Sequence, residues 1–387
     1  MRREQFDTII ARVVRAHPEL SDILMSPGRG VLAEVHGELL ETTLGQPLER
    51  LSPALTRVMA EVVLHESAVH RRHLAAHGSC DLSYGLAGVG RFRVNIFRQR
   101  GNLCLVMRRL PARVPTIDSL DLPEAFRLMA RERGGLALVT GGTGSGKSSS
   151  VAAVVHEISA TRGVHVITLE DPVEFAHRHG KGLVNQRELH ADFDSYASGL
   201  RAALRQSPAV ILVGEIRDRE TMAVALQAAC TGHLVLSTLH TLDAGSTVGR
   251  ILGLFGPQEE RVARMQLAES LRFVVSQRLL PAEGGGRVAA FEILRNTLRI
   301  RELLLSGESG EKTFYNVLGA GEAHGMRTFD QSLAALYEAG RISEDTALLA
   351  ATDRARLGQA IDRLKIVRGE GLEEGGLQLG GIEHEDY

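Results

Sequence analysis

The sequence predicts an α/β protein of two domains, in which a mixed α+β domain precedes a domain built on a parallel sheet. The chain has 387 residues, and at about 150 residues per domain this length fits two or three domains. From about residue 124, apolar segments alternate with helical ones, which is typical of a parallel sheet covered on both faces. Three prolines fall within residues 111–123, so we interpret this segment as the linker.

The composition favours a folded protein of a reducing compartment. Apolar residues make up 44% of the chain, which is too high a share for a disordered protein. The three cysteines are far apart and form no CxxC pair, which argues against zinc modules and disulfide scaffolds. No apolar run approaches the roughly 18 residues that span a bilayer, and the N-terminus does not resemble a signal peptide. We therefore expect a cytoplasmic protein without an integral membrane segment.

Charge and aromatic content disfavour nucleic acid as a partner. The chain carries 45 Lys and Arg against 47 Asp and Glu, a formal net charge of −2, so it lacks the basic excess of an obligate nucleic-acid binder. Aromatic residues make up 4% and tryptophan is absent, which leaves few platforms for stacked bases. A RecA-type motor on nucleic acid is therefore an unfavoured alternative.

Residues 1–110 show the mixed pattern. An amphipathic helix opens the chain. A hairpin is predicted over residues 31–40, around a turn at residues 36 and 37, and a helical stretch over residues 53–76. Three strands are predicted after it, at residues 81–84, 90–97 and 103–108. Arginines cluster on the last two strands. They form either a solvated basic sheet edge or arginine fingers that reach nucleotide phosphates. Our candidates for the second role are Arg91, Arg93 and Arg108.

Residues 124–366 carry the predicted parallel sheet. Its four apolar strands are residues 136–140, 164–170, 209–214 and 234–240. Beyond about residue 243 the pattern is mostly helical, with one apolar helix face formed by Leu267, Leu271, Val274, Val275 and Leu279. Residues 367–387 are rich in glycine and acidic groups, a composition that cannot bury a core and predicts a disordered tail.

A glycine-rich loop after the first of these strands gives the strongest chemical signal. Residues 141–148, GGTGSGKS, match GxxxxGK[ST] between a strand and a helix. Glycines let backbone N–H groups converge on phosphate oxygens at a helix N-terminus. Lys147 would neutralise the β- and γ-phosphates, and the Ser148 hydroxyl would bind Mg²⁺. The predicted nucleotide contacts are Gly141, Gly142, Thr143, Gly144, Ser145, Gly146, Lys147, Ser148 and Ser149.

Two acidic residues at strand ends are candidates for metal binding and water activation. Glu215 ends the segment AVILVGE and would hold Mg²⁺ through water or polarise the attacking water, or else cap the next helix. Glu170 begins the segment EDPVE, where crowded carboxylates repel one another unless a cation is near. We take Glu170 as the candidate general base, and Asp171 and Glu174 as either part of the same cluster or loop caps.

Two histidines flank the fourth strand. His233 precedes it and His240 ends it, and we expect both to sense the γ-phosphate, with a purely structural role as the alternative. A metal site is disfavoured, because no third ligand has suitable spacing.

Taken together, these motifs resemble a known family. The segments GGTGSGKS, ITLEDPVEF, LVNQRE, VILVGEIRDRETM and TGHLVLSTLHT follow one another in this order. They are similar to the secretion-type ATPases of type II secretion and type IV pili, over about residues 1–366. Within that superfamily the chain most resembles the PilT/PilU retraction ATPases of twitching motility, because the paired-CxxC knuckle of the longer branches is absent. The segments NIFRQRGNLCLVMRRL, PTIDSLDLP and HGMRTFDQSLAALYEAGRIS favour the PilU-like side.

The resemblance implies a PAS-like N-terminal domain, a RecA-like P-loop ATPase domain with C-terminal helices, and a homohexamer. It assigns Glu170 to the catalytic acid of the Asp box, Glu215 to the Walker B glutamate, and His233 and His240 to the His box. Arg91, Arg93 and Arg108 match arginines that approach the nucleotide.

The function that the resemblance implies is ATP- and Mg²⁺-dependent pilus retraction. It would be exerted at the inner membrane through a platform protein. The alternative is an accessory nucleotide-binding subunit of a retraction motor, with a paralogous retraction ATPase as its partner.

Overall fold

The computed structural model describes residues 1–65 and 67–368, and in this part of the chain it contains two β-sheets. The first lies within the N-terminal third of the chain and the second within the remainder. The α/β fold class that the sequence predicts is therefore confirmed. Residues 369–387, most of the predicted acidic tail, lie outside the described residues, whereas residues 367 and 368 belong to the last helix.

The N-terminal sheet is antiparallel, with strand order β3-β2-β1-β6-β5-β4. Its elements are α1 Arg3–Ala16, β1 Asp22–Met25, β2 Leu32–Val35, β3 Glu38–Glu41, α2 Pro53–Leu64, α3 Ala68–His77, β4 Ser79–Leu86, β5 Gly90–Gln99 and β6 Asn102–Arg109. Alternation along β5 sends Phe92, Val94 and Ile96 into the core and Arg91 and Arg93 to the opposite face. This alternation fixes which face of the sheet carries the arginines.

The predicted hairpin is confirmed, because β2 and β3 pair on either side of the turn. The helical stretch predicted over residues 53–76 is present, and the structure divides it into two helices, α2 and α3. Ser67 explains the second start, because its side chain accepts a hydrogen bond from the backbone N–H of His70 and so caps α3.

Residues 110–123 contain neither helix nor strand. Ile117 is buried among core residues of the second sheet, and Asp118 pairs with Arg127 of the following helix. The segment is therefore held against the C-terminal half of the chain.

The C-terminal sheet has strand order β13-β12-β7-β11-β10-β8-β9 and is parallel from β12 to β9. Helices cover both faces of the sheet, and each face has its own hydrophobic core between the sheet and the helices. Its elements are α4 Glu124–Arg131, β7 Gly135–Thr140, α5 Lys147–Thr161, β8 His165–Glu170, β9 Leu183–Glu188, α6 Tyr196–Ala203, β10 Val210–Val213, α7 Arg219–Cys230, β11 Leu234–Leu239, α8 Ala244–Leu252, α9 Pro257–Ser270, β12 Leu271–Pro281 and β13 Arg287–Arg295.

The predicted helical face that includes Leu271, Val274, Val275 and Leu279 is wrong. Only Leu267 of that set lies on a helix, α9, which ends at Ser270. The others belong to β12, which lies between β7 and β13 and is buried on both faces over most of its length. A strand covered on both faces shows no alternation of apolar and polar residues, so its apolar positions also fit a helical spacing.

Apart from a single 3-10 turn at Glu322–His324, five α-helices follow β13 and complete the C-terminal part of the described chain. They are α10 Leu298–Ser306, α11 Phe314–Gly319, α12 Phe329–Glu338, α13 Glu344–Leu349 and α14 Arg354–Arg368. Among the helices of residues 1–65 and 67–368, none combines the length and the apolar character that crossing a membrane requires.

Candidate functional site

The parallel sheet gathers the predicted C-terminal site residues at one edge. The phosphate loop follows β7, His240 follows β11, Glu215 lies two residues beyond β10, and Glu170 ends β8. These four strands are consecutive neighbours in the sheet, all with the same direction. The carboxyl ends of parallel strands form the usual ligand-binding crevice of such sheets, and this edge is the candidate active site.

Backbone geometry explains the glycines of the phosphate loop. Gly144 and Gly146 have φ angles of +76° and +88°, which side chains rarely tolerate. A Cβ on Gly146 would also lie 2.9 Å from Nε2 of Gln277. A Cβ on Gly141 would lie 2.4 Å from the carbonyl oxygen of Gln277. A side chain at position 141 would displace the backbone of the adjacent strand β12, and one at position 146 would displace the Gln277 side chain, whereas at Gly144 only the positive φ favours glycine.

Lys147 is folded back onto the loop that precedes it. Its Nζ donates to the carbonyl oxygens of Gly141 and Gly142, at 2.8 Å each. Burial lowers the pKa of Lys147, while the negative charges of Glu215 and Glu174 act in the opposite direction. Ser148 is exposed at the first turn of α5 and Ser149 is half-buried beside it. Lys147 is thus the cation of the loop, and it interacts electrostatically with the carboxylates of Glu215 and Glu174.

Neighbouring β12 braces the phosphate loop through contacts that the sequence analysis missed. The Ser150 hydroxyl donates to Oε1 of buried Gln277 at 2.8 Å. One residue earlier on the same strand, Ser276 shares a 2.8 Å hydrogen bond with Thr140. These partners lie more than 100 residues apart in the sequence, so no local pattern could have indicated them.

Glu215 lies between a cation and a histidine. Its Oε2 accepts from Nη2 of Arg217 at 2.7 Å, and its Oε1 lies 3.4 Å from Nε2 of His240. Burial acts to raise the pKa of Glu215, but Arg217 and His240 outweigh it and hold the pKa below its usual range. The carboxylate is therefore ionised and oriented.

Gly214 leaves room for this arrangement. A Cβ there would lie 3.1 Å from the carbonyl oxygen of Leu169 and 3.2 Å from the Tyr196 hydroxyl. A side chain at this position would push against both β8 and the start of α6.

Glu170 has a contrasting environment. Its Oε1 accepts from the Thr168 hydroxyl at 2.6 Å and from Nε2 of Gln186 at 2.9 Å. Burial nevertheless raises the pKa of Glu170 above its usual range. We assigned no role from the sequence to Gln186, although it lies in the segment LVNQRE on edge strand β9. Tyr196 was also missed, and its pKa is raised by burial and then by nearby Asp171, Glu170 and Glu215. A carboxylate with raised proton affinity suits proton abstraction from water.

The expectation that both histidines reach the phosphates is wrong for His233 within this chain. Strand β11 runs alongside β7 with Leu234 opposite Gly135 and Leu239 opposite Thr140. His233 therefore lies beside the start of β7, and its carbonyl oxygen accepts from the Gly135 N–H at 3.0 Å. Seven residue steps of roughly 3.3 Å each place the two histidines about 23 Å apart, so only His240 lies at the site.

The structure does not bring the three N-terminal arginines to the phosphate loop. Arg93 pairs with Asp81 at 3.3 Å, Arg108 pairs with Asp22 at 3.0 Å, and Arg91 lies 4.0 Å from Glu188. Within residues 1–65 and 67–368, no hydrogen bond or ion pair joins them to residues 141–149. Arg93 and Arg108 are direct cross-strand neighbours, and their side chains are 41% and 68% exposed.

Comparison with known proteins identifies the family. Residues 34–325 match the family model of type II/IV secretion system proteins. The chain belongs to this family. A crystal structure of the pilus retraction motor PilT with bound ADP covers 90% of this chain and 99% of its own, with a TM-score of 0.81 and 39% identity. The chain is a secretion-type ATPase that binds nucleotide, and its predicted two-domain α/β fold is confirmed.

Two relatives of this secretion-type ATPase come from Pseudomonas aeruginosa. The type IV pilus retraction ATPase PilT is 40% identical over 84% of this chain and 93% of its own. The type IV pilus ATPase PilU is 37% identical over 85% of this chain and 84% of its own. The predicted resemblance to PilT/PilU ATPases is confirmed, and these two identities do not separate one branch from the other.

The donor set of the secretion-type ATPase site suits a hard cation held jointly with phosphates. Among the described residues, no group of three or more His, Cys, Asp or Glu side chains is arranged to hold a metal. Ser148 and Glu215 contribute oxygen atoms at the edge of the sheet, and oxygen atoms are the ligands of Mg²⁺, which usually keeps several waters and binds phosphates as well. The residues present therefore fit Mg²⁺ bound together with a nucleotide.

Proposed function

We propose that this ATPase hydrolyses ATP with Mg²⁺ to drive retraction of a type IV pilus. The observation that carries the proposal is the single sheet edge where the phosphate loop, Glu215 with His240, and Glu170 meet. The names of the related proteins support pilus retraction as the work performed.

Each residue of the edge has a proposed task. The loop N–H groups and Lys147 bind the phosphates, with Nζ exchanging its two carbonyl partners for phosphate oxygens. Mg²⁺, held by Ser148 and through water by Glu215, would neutralise charge on the β- and γ-phosphates. Glu170 takes a proton from the attacking water, and His240 contacts the γ-phosphate from beside Glu215.

We also propose a homohexameric ring in which Arg91, Arg93 and Arg108 act on a nucleotide. These side chains are partly exposed, and within the described residues no hydrogen bond or ion pair joins them to residues 141–149, which supports action on a site that a neighbouring chain completes. In this proposal residues 1–110 and 124–366 are the moving domains and residues 111–123 the hinge. The ring would work in the cytoplasm, docked on an inner-membrane platform protein.

The test is retraction of labelled pili in a piliated bacterium that lacks its own retraction ATPases. We expect this chain to restore retraction and Glu215→Ala to abolish it. Restoration only together with a paralogous retraction ATPase would favour the accessory role instead. Active ATP hydrolysis without restored retraction, with or without the paralogue, would contradict the proposal.

A further inference from the structure

Glu188 occupies a junction between the two sheets. It ends β9, directly beside Glu170 in the register of β8 and β9. The N–H of the next residue, Leu189, donates to the carbonyl oxygen of Glu170 at 2.9 Å. The backbone around Glu188 is thus tied to the backbone that carries the candidate general base.

The Glu188 carboxylate contacts the N-terminal domain and the Glu170 loop at once. Its Oε2 accepts from the Ser83 hydroxyl of β4 at 2.6 Å and lies 4.0 Å from Nη2 of Arg91 on β5. The same oxygen accepts from the N–H of Val173 at 3.3 Å, three residues beyond Glu170. In residues 1–65 and 67–368, the hydrogen bond and the ion pair that join the two sheets both end on this one atom.

The surroundings of this contact leave room for movement. A cavity of about 490 Å³ opens beside it, lined by Ser83 and Tyr84 on one side and by Glu188 and His190 on the other. The Arg91 pair is at the limit of an ion-pair distance, and such partly exposed pairs hold weakly. A rotation of the N-terminal sheet would therefore remove two donors from Glu188 without opening a packed core.

We propose that Glu188 is a positioning residue that couples the orientation of the N-terminal domain to the loop carrying Glu170. When Ser83 and Arg91 are in place, the carboxylate is fixed and holds the Val173 N–H, and with it the loop behind Glu170. When the N-terminal sheet turns away, the carboxylate loses two of its partners and the loop relaxes. This inference deepens the proposed function and rests on it, because it assumes that Glu170 acts in hydrolysis.

The inference separates turnover from ATP binding. Glu170 ends β8, whereas the phosphate loop follows β7, three strands away in the sheet. Disturbing Glu188 should therefore lower kcat and leave KM for ATP within about twofold, because a small misplacement of a reacting group costs rate rather than ground-state binding. A residue with a merely structural role would lower the amount of folded protein and leave kcat per folded chain unchanged.

The experiment uses the full chain and measures steady-state ATP hydrolysis for Glu188→Ala, Ser83→Ala and the double variant. Ser83→Ala removes the hydrogen bond between the sheets and leaves Glu188 with the Val173 N–H and the weak Arg91 pair. We expect kcat to fall about tenfold for Glu188→Ala and about threefold for Ser83→Ala. The double variant should be no slower than Glu188→Ala, because both changes break one coupled contact. Glu61→Gln, which breaks an exposed ion pair with Arg71 inside the N-terminal domain, is the matched control and should retain wild-type kcat.

Several outcomes would overturn the inference. They are an unchanged or increased kcat in Glu188→Ala, a raised KM as the main effect, or single effects that simply multiply in the double variant. If Glu188→Ala does not fold, Ser83→Ala decides alone, and a wild-type kcat there overturns the inference. Failure of the proposed function is distinguishable, because it would appear as normal hydrolysis by Lys147→Ala, a variant that leaves Glu188 untouched.

Discussion

The two sides of the candidate site hold their charged groups in different ways. On the C-terminal side, Lys147, Glu215 and Glu170 sit at the ends of parallel strands, each with hydrogen bonds that fix its orientation. On the N-terminal side, Arg93 and Arg108 lie on the outer face of an antiparallel sheet and pair with acids of their own sheet. The first group is organised by the chain itself, whereas the second is not joined to it within the chain.

This difference separates the part of the site that one chain forms alone from the part that needs a further contact. The C-terminal edge contains a phosphate cradle, a candidate base and a carboxylate that suits Mg²⁺, so it can bind nucleotide without help. Arg93 and Arg108 contribute to hydrolysis only if another surface meets them, either after a domain rotation or across a contact between chains. Single substitutions on either side can break this division, and those on the C-terminal side should have the larger effects.

Loss of the Lys147 charge should affect hydrolysis most. Lys147→Ala removes the buried cation of the loop, and removing one such electrostatic contact costs about 10²–10³-fold in rate. Steady-state phosphate release measures the effect, with Lys312→Ala, an exposed surface cation, as the control. A Lys147→Ala protein with normal turnover would exclude this edge as the ATP site.

Glu215→Gln should separate binding from turnover. The substitution removes the charge that Arg217 and His240 stabilise, and we expect hydrolysis to fall by about 100-fold while a fluorescent ATP analogue still binds. Glu220→Gln, which breaks a surface pair with Arg201, is the matched control. Equal loss of binding and turnover would mean that Glu215 supports the fold of the site rather than its chemistry.

Two glycines of the phosphate loop form a matched pair. Gly146→Ala forces a side chain into a φ of +88° against Gln277, at a cost of about 1–3 kcal/mol. Gly142→Ala meets nothing within 4 Å and should cost much less. ATP affinity and thermal unfolding measure both effects, and equal losses would contradict the account of the loop's packing.

Arg108→Ala should have an effect only where chains meet. Because three arginines share the outer face, we expect removal of one to slow hydrolysis by about tenfold or less. The effect should appear at high protein concentration and vanish in dilute protein. Hydrolysis assays at both concentrations decide this, and an equal defect in dilute protein would place the arginine in its own chain's site.

The smallest expected effect is a pH dependence on the C-terminal side. Burial raises the pKa of Glu292 to about 7, although its hydrogen bond from the Ala244 N–H opposes this. The folded form therefore binds more protons than the unfolded form between the ordinary carboxyl pKa and about 7, so stability falls as pH rises through that window. Glu292→Gln should shrink the difference in urea midpoint between pH 5 and pH 8, and an unchanged difference would contradict a buried protonated carboxyl.

The sequence predicted what is local. The phosphate loop is contiguous, and Glu215 and His240 follow apolar strands whose carboxyl ends meet at one edge. The prediction for His233 does not hold within the chain because this residue precedes its strand, and the two ends of a strand lie at opposite edges of a sheet. Strand β12 was mistaken for a helix because burial on both faces removes the alternation that marks a strand.

The remaining site residues depend on contacts between distant segments. Gln277 reaches Ser150 across 127 positions, and Ser83 reaches Glu188 across 105. Gln186 and Tyr196 become neighbours of the acidic cluster only when β9 and α6 pack beside β8. Ser83, Tyr196 and Gln277 belong to no motif, and the motif LVNQRE, which holds Gln186 and Glu188, does not by itself show which residues it contacts. The chemistry of the site could therefore be predicted from the sequence, whereas its supports could not.

The most direct test of the central claim is ATP hydrolysis per chain across a range of protein concentrations, with Glu215→Ala measured alongside. We expect activity per chain to rise with concentration, as neighbouring chains bring arginines to each site, and to be lost in the variant. Activity per chain that stays constant from dilute to concentrated protein would contradict it, because each chain would then hold a complete site.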